Sequence, residues 1–147
     1  MLNGIDPILG PELLYTLARM GHGDELAVVD RNYPAYSSGR DVHRLDGVNA
    51  VEAGRAILSL VPLDTFIDAP VEYMQVVGDP AARVVIHDEF GRMVNTACGR
   101  DVTMAPIERF AFYERTRHVT ALVATGEDRP YGCFIITKGV LPQISPG

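Results

Sequence analysis

Leu26-Ala27-Val28-Val29 is an unbroken apolar run, fenced by Met20-Gly21-His22-Gly23-Asp24-Glu25 on one side and Asp30 on the other. A run this short, with glycine before it and a turn-rich stretch after it, predicts a buried strand over Glu25 to Asp30. A buried strand needs a core around it. Hydrophobic residues make up 47% of the 147 positions, enough to build that core and to exclude wholesale disorder. The length is that of one domain, residues 1–147.

The rest of the chain reads as alternating helices and strands. Pro11 suits the first position of a helix, and Leu13, Leu14, Leu17, Ala18 and Met20 recur at roughly helical spacing, with Gly21 to end it. Residues 31 to 41 contain Asn32, Pro34, two serines and Gly39 and read as a loop, one unusually rich in aromatic surface through Tyr33 and Tyr36. Helix is expected over Val51 to Val61, strand over Val71 to Val77, and a turn at Gly78-Asp79-Pro80. Residues 81 to 95 fit helix and strand equally. Pro106 is expected to start a helix reaching about Arg117, with Glu108 in its first turn. Val119 to Ala124 and Phe134 to Lys138 read as strands around a polar turn at Gly126 to Pro130. This order points to an α/β fold, a single layered domain with a mixed central sheet and flanking helices.

Charge and hydropathy exclude several classes of function. The formal net charge is -6, from 19 acidic and 13 Lys or Arg residues, and no basic stripe marks a nucleic-acid or anionic-membrane surface. No apolar run approaches the roughly 18 residues of a membrane span. The amino-terminal residues lack a basic start and an apolar signal core, so the cytoplasm is the expected location. Cys98 and Cys133 lie far apart without a CxxC spacing and read as two buried free thiols.

The turn before the first strand carries the clearest chemistry. Histidine exchanges protons near neutral pH, and glycines on both sides of His22 let a ligand approach closely. A turn histidine bonded locally would account for the same residues. Asp30, at the strand end, is placed where ligands collect in open α/β sheets, or it caps the following loop. His22, Asp24 and Asp30 also fit a small metal-dependent hydrolase, but no metal-ligand spacing accompanies them. His43, His87 and His118 are isolated and read as surface residues unless the fold gathers them. In Arg109-Phe110-Ala111-Phe112-Tyr113, Arg109 and Tyr113 share a helix face that offers a guanidinium and a phenol to a polyol. Phe110 and Phe112 read as core or subunit-interface residues. Tyr131 beside Gly132 suits stacking or hydrogen bonding to a ligand, or belongs to an ordinary hairpin-like connection.

Together these segments resemble the L-fucose mutarotase and D-ribose pyranase family, most closely its fucose mutarotase branch. The resemblance rests on Pro11-Glu12-Leu13-Leu14, Met20-Gly21-His22-Gly23-Asp24-Glu25, Asp30, Pro34-Ala35, Arg109 to Arg115, Thr125-Gly126-Glu127, Tyr131-Gly132 and Lys138-Gly139-Val140, in family order along the chain. Residues 45 to 105 resemble the family more loosely. The resemblance implies an α/β fold assembling into a ring-based homo-oligomer, decameric by resemblance, with sites near subunit boundaries. It implies a monosaccharide ligand, no metal and no organic cofactor. It makes His22 the proton donor and Asp30, Arg109, Tyr131, Gly132 and Cys133 the sugar-binding set, with Tyr113 an additional candidate.

At Cys133 the chain departs from the family pattern, which has asparagine there. An amide offers two donors and an acceptor, a thiol only weak partners, so the choice of sugar is the property most open to change. The expected activity is exchange of the α and β anomers of L-fucose or a related sugar. His22 would move protons, Asp30 would hold hydroxyls and orient or charge-balance the imidazole, and Arg109 and Tyr131 would fix the ring. A ribose-type pyranase and a non-catalytic monosaccharide-binding module are the alternatives.

Overall fold

In the computed structural model, which describes residues 1–145, Glu25–Val29 forms β1, buried at its last four positions. Both faces of β1 are covered, which is why its sequence is continuously apolar rather than alternating. Leu26 and Val28 enter one core, and Ala27 and Val29 enter another on the opposite face. The remaining strands are β2 (Asp41–Leu45), β3 (Val71–Met74), β4 (Met104–Ile107), β5 (Ala121–Thr125) and β6 (Phe134–Thr137). They form a mixed sheet in the order β2-β5-β1-β6-β3-β4. β1 pairs parallel with β5 and antiparallel with β6. The α/β reading with a mixed sheet and flanking helices is the observed architecture.

Three helices cover the first face. In α1 (Pro11–Arg19) Pro11 opens the helix, and Leu13 and Leu17 lie one turn apart and face inward. α2 (Ala50–Leu58) is capped by Asn49, whose side chain accepts from the Glu52 N–H at 2.8 Å, an N-cap of the usual kind. α3 (Val85–Cys98) settles the ambiguous stretch: Ile86, Phe90, Met93 and Val94 are buried at helical spacing. Phe90 stacks on Phe134 of β6 with centroids 3.7 Å apart, which ties α3 to the sheet. Gly54 lets α2 and α3 close up, since a Cβ there would sit 2.6 Å from the Met93 methyl. The opposite face is covered by α4 (Arg109–Thr116) and a 3-10 turn at Ala35–Ser38, with Phe112 and Ala35 in its core.

Several expectations need correction. β2 falls largely beyond the loop read over residues 31 to 41. It is an edge strand with no fully buried position, so its sequence carries no apolar signal. Pro106 does not start a helix. It lies in β4, an edge strand, where a missing N–H leaves no ladder bond unmade. The helix starts at Arg109 because Glu108 caps it, its carboxylate accepting from the Phe110 and Ala111 N–H groups at 3.0 and 2.9 Å. β5 and β6 are not a hairpin: β1 lies between them, so their connection passes over the end of β1. His87 is not a surface residue but is fully buried, and Cys98 is only half-buried. Phe112 is core, and Phe110, 68% exposed, is not, which leaves it the subunit-interface half of that expectation.

Candidate functional site

The carboxyl end of β1 is where the predicted residues converge. Asp30 follows the strand directly. Beside it lie Met74 at the end of β3, Arg109 at the start of α4, and Cys133 just before β6. The β5–β6 connection, carried over β1, brings Pro130 and Tyr131 above them. These side chains, with Asn32, Tyr33, Val77 and Tyr113, line a pocket of about 290 Å³. Asp30, Arg109, Tyr113, Tyr131 and Cys133 thus meet across 104 positions of sequence, from residue 30 to residue 133.

Each group is held in a definite way. Asp30 is buried and accepts from the Asn32 N–H at 3.0 Å. Burial raises its carboxyl above the usual range; the Asn32 N–H, the Cys133 thiol and the Tyr33 and Gly132 N–H groups counter that. Cys133 is 2% exposed, and burial pushes its thiol well up, so it stays protonated beside Asp30. The Arg109 Nε–H donates to the Tyr113 phenol at 2.9 Å, one helical turn away. With its oxygen accepting from Arg109, the phenol keeps its own hydrogen for a ligand. The Tyr131 phenol oxygen accepts from the Val77 N–H at 3.3 Å, and the backbone at Tyr131 has φ 64°. Gly132 is buried against Glu127, where a Cβ would come 2.8 Å from the Glu127 Cγ. It does not line the pocket, but its N–H faces the Asp30 carboxyl and its bare Cα lets the chain pass Glu127.

His22 is not in this pocket. It precedes β1 and Asp30 follows it, so the two lie at opposite ends of the strand. Asp30 therefore does not orient the His22 ring of its own chain. Asp64 does, which the sequence reading missed: its Oδ1 accepts from His22 Nε2 at 3.1 Å, with the Asp64 side chain 4% and the His22 side chain 47% exposed. The Phe66 N–H, donating to Asp64 Oδ1 at 3.1 Å, and then His22 hold the Asp64 carboxyl below its usual value. Because Nε2 donates to a carboxylate, Nδ1 is the nitrogen left to exchange a proton. Phe66, 74% exposed, flanks the ring at 5.1 Å. Asp24 is turned back onto the Gly21 N–H at 2.7 Å, so His22, Asp24 and Asp30 do not share a site. No cluster of three or more metal-ligating side chains occurs among the described residues, and none of their helices is long and apolar enough to cross a membrane.

A carboxylate, a guanidinium and two phenols line this pocket at the carboxyl end of β1, which makes it a candidate site for a small polar ligand in an α/β protein. The chain belongs to the RbsD / FucU transport protein family, whose sequence profile matches residues 3–141. A fucose mutarotase of Danio rerio is 46% identical, the match covering 97% of this chain and 95% of that one. The crystal structure of a Streptococcus pneumoniae fucose mutarotase in complex with L-fucose is 37% identical. It superposes with a TM-score of 0.87 over 96% of this chain and all of that one. Bacillus subtilis RbsD complexed with D-ribose, 18% identical with a TM-score of 0.71, shares the fold.

Proposed function

We propose that the chain, as one domain, is a mutarotase that interconverts the α and β anomers of L-fucose or a closely related sugar. The observation that carries this is the pocket of Asp30, Arg109, Tyr113 and Tyr131 together with the His22–Asp64 pair. The likeness to named fucose mutarotases, one of them solved with L-fucose, supports the sugar. The likeness to RbsD supports the fold alone, so the pyranase reading has no separate support.

In this reading the sugar opens and recloses by proton transfer. The ring oxygen gains a proton as the bond from C1 to that oxygen breaks, and the C1 hydroxyl loses one as it becomes the aldehyde. Rotation about C1–C2 and the reverse transfers close the ring on the other face. His22 gives the ring oxygen its proton through Nδ1, with Asp64 holding Nε2, while a water molecule takes the proton of the C1 hydroxyl. On closure His22 recovers that proton and water returns one to the C1 oxygen, so the cycle leaves both unchanged. Asp30 accepts from sugar hydroxyls. Arg109 and the Tyr113 phenol fix the end of the ring that reacts, and Tyr131 packs on its face.

His22 and the pocket lie at opposite ends of β1, so the site is completed between copies. The exposed His22–Phe66 edge of one copy meets the Asp30 pocket of a neighbour in a ring-based homo-oligomer. The two cysteines are free, which fits the reducing cytoplasm. Saturation-transfer NMR with a panel of reducing sugars tests the function. L-fucose anomers should exchange with catalytic enzyme, and His22→Gln should abolish this while the assembly stays folded. Binding without exchange would instead make the chain a sugar-binding module, and faster pyranose–furanose exchange of ribose would make it a pyranase.

A further inference from the structure

We propose that His87 is a positioning residue for the sugar site, acting through the Tyr131 backbone. This rests on the reading of Tyr131 as a sugar-binding residue. His87 lies in the first turn of α3 and has no exposed surface. Its ring does not line the pocket and reaches it only through the backbone of residues that do. Its Nδ1 accepts from the Val84 N–H at 3.4 Å, which leaves the ring proton on Nε2. The Nε2–H then donates to the Tyr131 carbonyl at 3.1 Å. Burial lowers the imidazole pKa below its usual value, so the ring stays neutral and keeps this single-donor form.

Tyr131 is the only non-glycine with a positive φ among the described residues. A side chain in that region is disfavoured and persists only where the surroundings hold it. Three contacts do so. His87 takes the carbonyl, the Val77 N–H takes the phenol oxygen, and Glu127, bonded to Arg129 at 3.0 Å, fills the space beside Gly132. Without the carbonyl donor the residue relaxes towards ordinary φ and swings its ring off the ligand.

Histidine suits both demands of the place. Its ring packs 4.3 Å from Tyr73 and edge-on to Phe134 at 6.1 Å, as a phenylalanine would, yet it also donates at the depth of the Tyr131 carbonyl. Phenylalanine fills without donating. Glutamine donates from nearly the same point with less filling.

The test is steady anomer exchange of L-fucose by the intact assembly, with KM and kcat resolved. His87→Phe should raise KM about tenfold, the size expected for stranding one buried carbonyl, with kcat changed less than about twofold. His87→Gln should recover most of the loss, and thermal unfolding should stay cooperative. His87→Met, flexible enough to fill the same space, is a second donor-free variant should phenylalanine crowd the fold. In a Tyr131→Ala background His87→Phe should add less than about twofold to KM, because the two act as one unit. An unchanged KM in the donor-free variants overturns the proposal. So does the same increase with and without the Tyr131 side chain, which would mark a general packing effect. If Tyr131→Ala alone leaves KM unmoved, the sugar-site reading fails first, and the positioning role with it.

Discussion

Co-expressing His22→Gln with Asp30→Asn should restore activity that neither variant has alone. The reason is distance. β1 holds five residues, and at about 3.3 Å per residue its length is about 16 Å. His22 stands before the strand and Asp30 after it, so the gap between them exceeds the reach of two short side chains plus one pyranose ring. Alone, His22→Gln removes the acid–base group and should lower exchange by about 10²- to 10⁴-fold. Asp30→Asn keeps an acceptor for the Asn32 N–H and removes the charge that holds the sugar. In a mixed assembly, a site works where a copy with intact His22 meets a neighbour with intact Asp30. Random mixing makes that about a quarter of all sites. The assay is saturation transfer between L-fucose anomers, per site, on oligomers carrying both variants and purified through two different tags. Mixed assemblies no more active than the single variants would refute the shared site, and one copy would then have to bring both groups together.

Three further outcomes follow from particular contacts. Asp64→Asn keeps the acceptor for Phe66 and removes the charge facing His22. With His22 47% exposed, the loss should fall at the low end for a hydrogen bond to a charged group, about tenfold in kcat with little change in KM; an unchanged kcat would remove Asp64 from the mechanism. Glu127 is buried, and its bonds to Arg129 outweigh burial and hold its carboxyl below the usual 4.5. Its contribution is therefore fully present above about pH 4.5 and is lost as pH falls through the lower folded value, so Glu127→Gln should flatten the acid limb of a urea-stability series across that window. Phe134→Ala removes a fully buried ring stacked on Phe90 and should cost about 3–5 kcal/mol in denaturant unfolding; a cost below about 1 kcal/mol would mean the stack contributes little.

The elements the sequence made legible are those whose local chemistry and tertiary role agree. β1, β5 and β6 are apolar because both faces are covered, and α1 shows its inward leucines at helical spacing. β2 escaped because an edge strand with half-exposed residues needs no apolar face. Pro106 misled because proline at an edge strand and proline at a helix start satisfy the same missing N–H. The pocket residues were legible individually and through their resemblance to a family. Their convergence was not, because it depends on β1 lying between β5 and β6. Asp64 had no local mark: it is one aspartate in an irregular stretch, and its role arises only when the Leu63–Lys138 bridge brings that stretch beside the His22 turn. His87 was invisible for the opposite reason, since an isolated histidine gives no sign that a helix will carry it beneath the Tyr131 loop.

Cys133 illustrates how placement changes the meaning of a substitution. In the sequence it stands where the family pattern has asparagine, so it reads as a lost sugar contact. In the fold its thiol is buried, protonated and set against Asp30. An S–H donor there lowers the cost of keeping Asp30 charged in a buried position, alongside the backbone N–H groups that point to the same carboxyl. The thiol therefore acts on the pocket through the charge of Asp30. Under the proposed function, the choice among sugars falls to the other groups that line the pocket: the Arg109–Tyr113 pair, Tyr131 and the Met74 side chain at the end of β3. A weak donor serves there because the Asn32, Tyr33 and Gly132 N–H groups act on the same carboxyl.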